Sequence, residues 1–231
     1  MFRRLGYARS RGARLLAERL AAPASTLDAG STGEGDEEAS RIAITFDDGP
    51  DPEYTPRVLD ALAARSAAAT FFLVGDKAQR HPHLVQRILA EGHAVGSHTR
   101  SHPDMWTIPF PEIRRQYLDG RRLVEDVAGR DVPLVRPPKG WLDPLAGLVL
   151  RRHGFRTVLW NTAGDDWVAG QSAAAILGAI GTPVAGSVIL LHDSIEAADD
   201  PAQLDRTATI EALGPLVDGL RLAGHQLVAL N

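Results

Sequence analysis

From Arg41 onward the sequence predicts an α/β fold built on a parallel sheet of about seven strands. Two observations carry this. Short runs of β-branched and aromatic residues alternate with longer stretches whose apolar residues recur at helical spacing. Glycine and proline punctuate the ends of the helical stretches. Strand, helix, strand repeated in this way argues for crossover connections and parallel neighbours.

The strand candidates, in order, are 42–46, 70–74, 93–97, 134–136, 157–160, 187–191 and 226–230. After the first, Thr55-Pro56 reads as a cap and first-turn proline, followed by the stripe Val58, Leu59 and Leu62. Leu84, Val85, Ile88 and Leu89 make a second stripe, stopped by Gly92. Ile113, Tyr117, Gly120, Val124 and Val127 make a third. Asp143-Pro144 opens a fourth helix, with Leu145, Leu148 and Val149 on one side and Gly154 as its stop. Ile210, Leu213, Val217 and Leu220 form the last stripe before Gly224. Seven strands so connected suggest a barrel or an open sheet, and in either the active residues gather at the C-terminal strand ends.

The bulk composition is that of a globular protein large enough for a sizeable core: 231 residues, 44% hydrophobic and 23% charged. A net charge of −4 gives no reason to expect a nucleic-acid partner. The absence of cysteine excludes disulfides, thiolate ligands and a cysteine nucleophile. No stretch of 18 apolar residues is present, so no transmembrane segment is expected.

Residues 1–40 read as a tail and linker, and 41–231 as the folded domain. The first 22 residues hold six arginines against Glu18, and arginine interrupts every apolar run, so no signal peptide is read and a cytoplasmic location is expected. Residues 23–40 are acidic and rich in small residues, with Leu27 as the single large apolar side chain. Deleting residues 1–38 is therefore expected to leave the melting temperature of the remainder nearly unchanged; a large drop would show that the tail packs on the domain.

The unusual polar residues collect at strand ends. Asp47-Asp48 follow the first candidate strand, His98 and His102 the third, Arg136 ends the fourth, Asp165-Asp166-Trp167 come shortly after the fifth, and His192 follows the sixth. Each piece alone has an ordinary reading: Asp-Asp-Gly-Pro as a turn, two histidines four apart as a surface pair, Arg136 as half of an ion pair. Their joint delivery to one rim favours a catalytic site.

Five segments carry a family resemblance: Thr45-Phe46-Asp47-Asp48-Gly49-Pro50, Ser97-His98-Thr99-Arg100-Ser101-His102, Arg136-Pro137-Pro138-Lys139-Gly140, Asp166-Trp167 and Leu190-Leu191-His192-Asp193. In this order they resemble the five motifs of the polysaccharide deacetylase family, the NodB-homology domain, and residues 42–102 resemble rhizobial chitooligosaccharide deacetylases in particular. The resemblance implies a distorted (β/α) barrel that removes acetyl from an N-acetylated saccharide with one divalent metal ion, commonly zinc. It implies Asp48, His98 and His102 as ligands, Asp47 as general base oriented by Arg136, and His192 as general acid paired with Asp166. Leu190 would line the pocket for the acetyl methyl. Two positions depart from the pattern. Lys139 stands where the family usually carries an aromatic, and Ala163 stands where the fourth motif often carries a first aspartate.

The chemistry supports these roles independently. Two imidazoles and a carboxylate leave coordination positions open. A second carboxylate, free of the metal, can take a proton from water, and a histidine can protonate the departing amine near neutral pH. Trp106, Trp141 and Trp167 fall in loops after strand ends, either as rim packing or as flat faces for sugar rings, and Lys139 would adjust substrate choice beside them. Two rival readings are a deformylase or cyclic-amide hydrolase on the same fold, and a catalytically silent carbohydrate-binding protein.

Overall fold

The computed structural model describes residues 40–196 and 198–231. The expected tail and linker lie, up to residue 39, outside the described residues. Strand β1 (Arg41–Asp47) is followed by α1 (Tyr54–Ala63), β2 (Thr70–Leu73), α2 (Gly75–Arg80), α3 (Pro82–Ala90) and β3 (Ala94–Ser97). Then come α4 (Phe110–Ala128), β4 (Leu134–Val135), α5 (Pro144–Arg152), β5 (Arg156–Thr157) and β6 (Thr162–Ala163). The chain ends with α6 (Ala173–Ile180), β7 (Val188–His192), α7 (Thr207–Leu222) and β8 (Gln226–Leu227). Every strand pairing is parallel, in the order β5-β4-β3-β2-β1-β7-β6, with β8 on the start of β1. The sheet curls into a distorted (β/α) barrel with helices outside, as expected.

Alternation along β1 and β7 sends their apolar residues to two of the three core clusters among the described residues. Ile42, Ile44 and Phe46 of β1, with Ile189 and Leu191 of β7, pack under the outer helices. Ala43 and Val188 face the other way, with Phe72 and Leu134. Thr45, Asp47, Leu190 and His192 share that second phase, so the interior face turns from apolar to polar toward the C-terminal strand ends.

Three local expectations are corrected, and two helices are added. Thr55 is not the cap of α1. It is buried inside the first turn, and Asp51 Oδ1 instead accepts from the amides of Glu53 (2.8 Å) and Tyr54 (2.9 Å). The buried stripe of α5 is Ala146, Val149 and Leu150, while Leu145 and Leu148 are half exposed; a helix of nine residues permits either face, and the neighbouring core decides. The fifth candidate strand stops at Thr157, and the strand nearest Asp166 is β6, which adds to the seven expected. β6 has only two residues and no apolar run. It is held by β7, where Gly164 N donates to Leu190 O (3.2 Å), and the preceding Asn161 side chain accepts from Val188 N (3.0 Å). Helices α2 and α6 were not anticipated: α2 is six residues without a stripe, and α6 is apolar nearly all round. No helix among the described residues is long and apolar enough to cross a membrane.

Candidate active site

Consecutive strand residues point to opposite faces, so Asp47 and Asp48 can meet at one site only if the chain leaves the pleat between them. It does: Asp48 adopts a left-handed backbone (φ 72), a conformation that aspartate tolerates better than most residues. Both carboxylates are buried. His98 and His102 lie in the loop after β3, where His102 is again left-handed (φ 52) and its amide donates to Thr99 Oγ1 (3.2 Å). Gly120 of α4 abuts this loop so closely that a Cβ would overlap the Thr99 backbone. A glycine at that point lets the helix press directly on the segment carrying both histidines.

The three side chains converge. Asp48 Oδ1 is 3.3 Å from His98 Nε2 and 3.3 Å from His102 Nε2, and one donor atom from each residue lies within 4.8 Å of the others. The second ring nitrogen of His98, Nδ1, is 2.7 Å from the Arg136 carbonyl. That contact places the proton on Nδ1 and leaves the Nε2 lone pair facing a carboxylate oxygen, the arrangement typical of a ligating histidine. Asp48 Oδ1 is buried without a hydrogen-bond partner. Lone pairs directed at one buried point require a positive charge there, and the donor set suits a divalent ion. Without one, a proton is the substitute. Burial disfavours charge on His98, but Asp47 and Asp48 outweigh it and raise its pKa, whereas burial lowers that of His102. Burial also opposes ionisation of Asp48, yet His102, His98 and His192 hold its carboxyl far below the usual range.

Beside this triad, Asp47 Oδ1 accepts from Arg136 Nη1 (2.7 Å), and Oδ2 lies 3.6 Å from His98 Nε2. Arg136 is fully buried, donates to Thr45 Oγ1 (2.8 Å) and Val158 O (3.2 Å), and lies over the Phe72 ring at 4.1 Å. Opposite, Asp166 Oδ1 is 2.8 Å from His192 Nδ1, and Oδ2 accepts from the His192 amide and from Thr209 Oγ1, both at 2.9 Å. Burial works against the imidazolium, but Asp166 prevails and the His192 pKa is raised to about 9. Buried Arg206 donates to the Asp166 carbonyl (2.7 Å).

The rim residues separate. Trp167 meets His192 edge-on with centroids 5.6 Å apart. Leu190 is buried on β7 opposite Thr45. Trp106 is 53% exposed. The Lys139 ammonium lies 4.9 Å above the Trp106 ring and 2.5 Å from Asp104 Oδ1. Trp141 is half-buried against the core cluster that holds Met105, Tyr117 and Phe155. Sequence reasoning did not reach Lys77, Ser194, Glu196, Thr209 or Arg206, which carry no motif; only their contacts reveal them.

The polysaccharide deacetylase family profile matches residues 34–158. A peptidoglycan-N-acetylglucosamine deacetylase of Bacillus cereus is 35% identical over 192 residues, covering 82% of this chain and 86% of its own. A chitooligosaccharide deacetylase of Sinorhizobium fredii is 35% identical over 197 residues, covering 83% of this chain and 91% of its own. Among solved structures, a peptidoglycan N-acetylglucosamine deacetylase in complex with an N-oxidanyl-benzamide superimposes with a TM-score of 0.76 at 34% identity, over 85% of this chain and 88% of that one.

Proposed function

The chain belongs to the polysaccharide deacetylase family, and from its site we propose that it hydrolyses the N-acetyl group of an N-acetylglucosamine-containing saccharide with one divalent metal ion, zinc for preference, held by Asp48, His98 and His102. The observation that carries the reading is the convergence of three lone-pair donors on one buried point beside a second carboxylate that is free to work as a base. When bound, the metal supplies Lewis-acid polarisation of the amide carbonyl and a more acidic water. The protein's own residues supply the rest. Asp47 Oδ2 takes the water proton while Arg136 occupies Oδ1. His192 gives a proton to the departing nitrogen, whose amide anion would otherwise be too poor a leaving group. Asp166 fixes the His192 ring and its tautomer through Nδ1, leaving Nε2 as the donor atom. Leu190 packs the acetyl methyl, and the exposed Trp106 with Lys139 meets flanking sugar or its substituents.

The two kinds of relative share the N-acetylglucosamine unit, which makes N-acetylglucosamine oligomers the first substrate to test. Purified protein is expected to contain about one divalent ion per chain and to release acetate from such oligomers. Removal of the ion by a chelator should abolish release, and added zinc should restore it. Activity that survives complete metal removal would overturn the mechanism; bound metal with sugar affinity but no turnover would favour the silent-binder reading.

A further inference from the structure

The two oxygens of Asp48 are used differently. Oδ1 faces both imidazoles without a hydrogen bond, whereas Oδ2 accepts from the backbone amide of Glu196 at 2.8 Å. Glu196 lies 148 residues away in sequence, in the segment after β7, so nothing local to the Asp48 turn keeps that amide in place. Lys77 of α2 contacts both sides of it. Its ammonium donates to the Asp48 carbonyl (2.9 Å) and to Ser194 Oγ (2.8 Å), and it pairs with Glu196 Oε1 at 2.5 Å. An ammonium has three donors, and all three find acceptors here. The Lys77 side chain is 13% exposed and that of Glu196 28%, so water screens the pair less than an ordinary surface bridge. One side chain thus ties the loops after β1 and β7 to the helix after β2.

We infer that Lys77 is a positioning residue for the metal ligand Asp48: by holding the Glu196 segment against the Asp48 turn, it keeps Oδ2 engaged and presents Oδ1 alone to the ion. The inference rests on the metal reading above. Groups that orient ligands typically change metal affinity about 10–100-fold when removed. Lys77→Met, which keeps the length and apolar stem of the side chain, is expected to weaken zinc binding by that factor. Glu196→Gln, which keeps the backbone amide but removes the ion pair, should weaken it less. The double variant should lose less than the product of the two single losses, because both act through one tie.

The measurement is zinc affinity of the metal-free full chain by competition with a chromogenic chelator, with melting temperatures taken with and without zinc. A positioning role predicts a smaller zinc-induced rise in melting temperature for Lys77→Met. A merely structural role would lower the zinc-free and zinc-loaded values together and leave affinity unchanged, and that result would overturn the inference while sparing the metal reading. Wild-type protein that binds no zinc would overturn both. Should Lys77→Met fail to fold, Glu196→Gln decides alone, and unchanged zinc affinity there counts against the tie.

Discussion

Asp47→Asn is expected to retain its metal at full occupancy and to lose about 10²–10⁴-fold in amide hydrolysis, the usual contribution of a general base. The expected separation of binding from turnover follows from how the two oxygens of Asp47 are engaged. Oδ1 accepts from Arg136 Nη1 at 2.7 Å, and Oδ2 faces the metal site from 3.6 Å away from His98 Nε2. In the asparagine variant the carbonyl oxygen keeps the Arg136 contact, because turning the amide over would set its NH2 against a buried guanidinium. The NH2 then occupies the Oδ2 position, where it is a donor and cannot receive a proton from water. Neither Asp48 nor the imidazoles need move, but the variant should melt below the parent, since the buried Arg136 guanidinium loses its anionic partner, so metal content and turnover are compared per folded chain. Equimolar zinc with turnover near wild type would refute Asp47 as the base; loss of zinc together with activity would mean that Asp47 is itself a ligand.

How far the sequence could reach depended on whether a residue's role was local. Asp47 and His192 end their strands, Asp48, His98 and Arg136 come immediately after theirs, and His102 shares the loop of His98, so the strand ends located them. Asp166 was assigned to the wrong strand because β6 is two residues long, and its pairing is dictated by the neighbouring β7 rather than by its own side chains. Leu145 and Leu148 satisfied the helical period but lie on the outer face, since a period identifies a face without saying which way it turns. The tie through Lys77 was beyond sequence reasoning for a further reason. An isolated lysine is nearly always a solvated charge, and the acceptors that distinguish this one come from residues 48, 194 and 196. Lys139 was legible as a departure from the family pattern. Its pairing with Asp104 over Trp106 was not, because the loop after β3 and the turn after β4 meet only in the folded chain.

His192→Ala is expected to cost far more for an amide than for an activated ester, and to remove the alkaline limb of the amide profile. The reasoning starts from position. His192 ends β7, the strand paired along its whole length with β1, and both its backbone amide and its Nδ1 are held by Asp166. The imidazole is therefore fixed, with Nε2 left to meet the leaving nitrogen. Burial alone would keep the ring neutral; the Asp166 carboxylate reverses this and lifts the pKa to about 9, with Asp48 and Asp47 adding to the shift. A divalent ion held by the proposed ligands would oppose those two carboxylates and draw the value down, so with the ion bound the alkaline limb should fall below about 9. The sign is set by which form works. In the proposed mechanism protonated His192 is the acid, so amide turnover should fall as pH rises through its pKa. The Asp166–His192 pair likewise stabilises the fold fully below pH 6.5, the ordinary histidine value, and that contribution is lost as pH approaches 9. Asp166→Asn should shift the limb to lower pH without abolishing it, since the amide oxygen still accepts from Nδ1 but no longer favours the charge. The observed limbs belong to the coupled site, so the comparison that counts is between variants under one set of conditions. An ester with a good leaving group needs no proton on departure, and its hydrolysis should survive His192→Ala to a much greater extent. Equal losses on amide and activated ester, with an unmoved alkaline limb in Asp166→Asn, would assign His192 to binding or structure and require the acid to be another group.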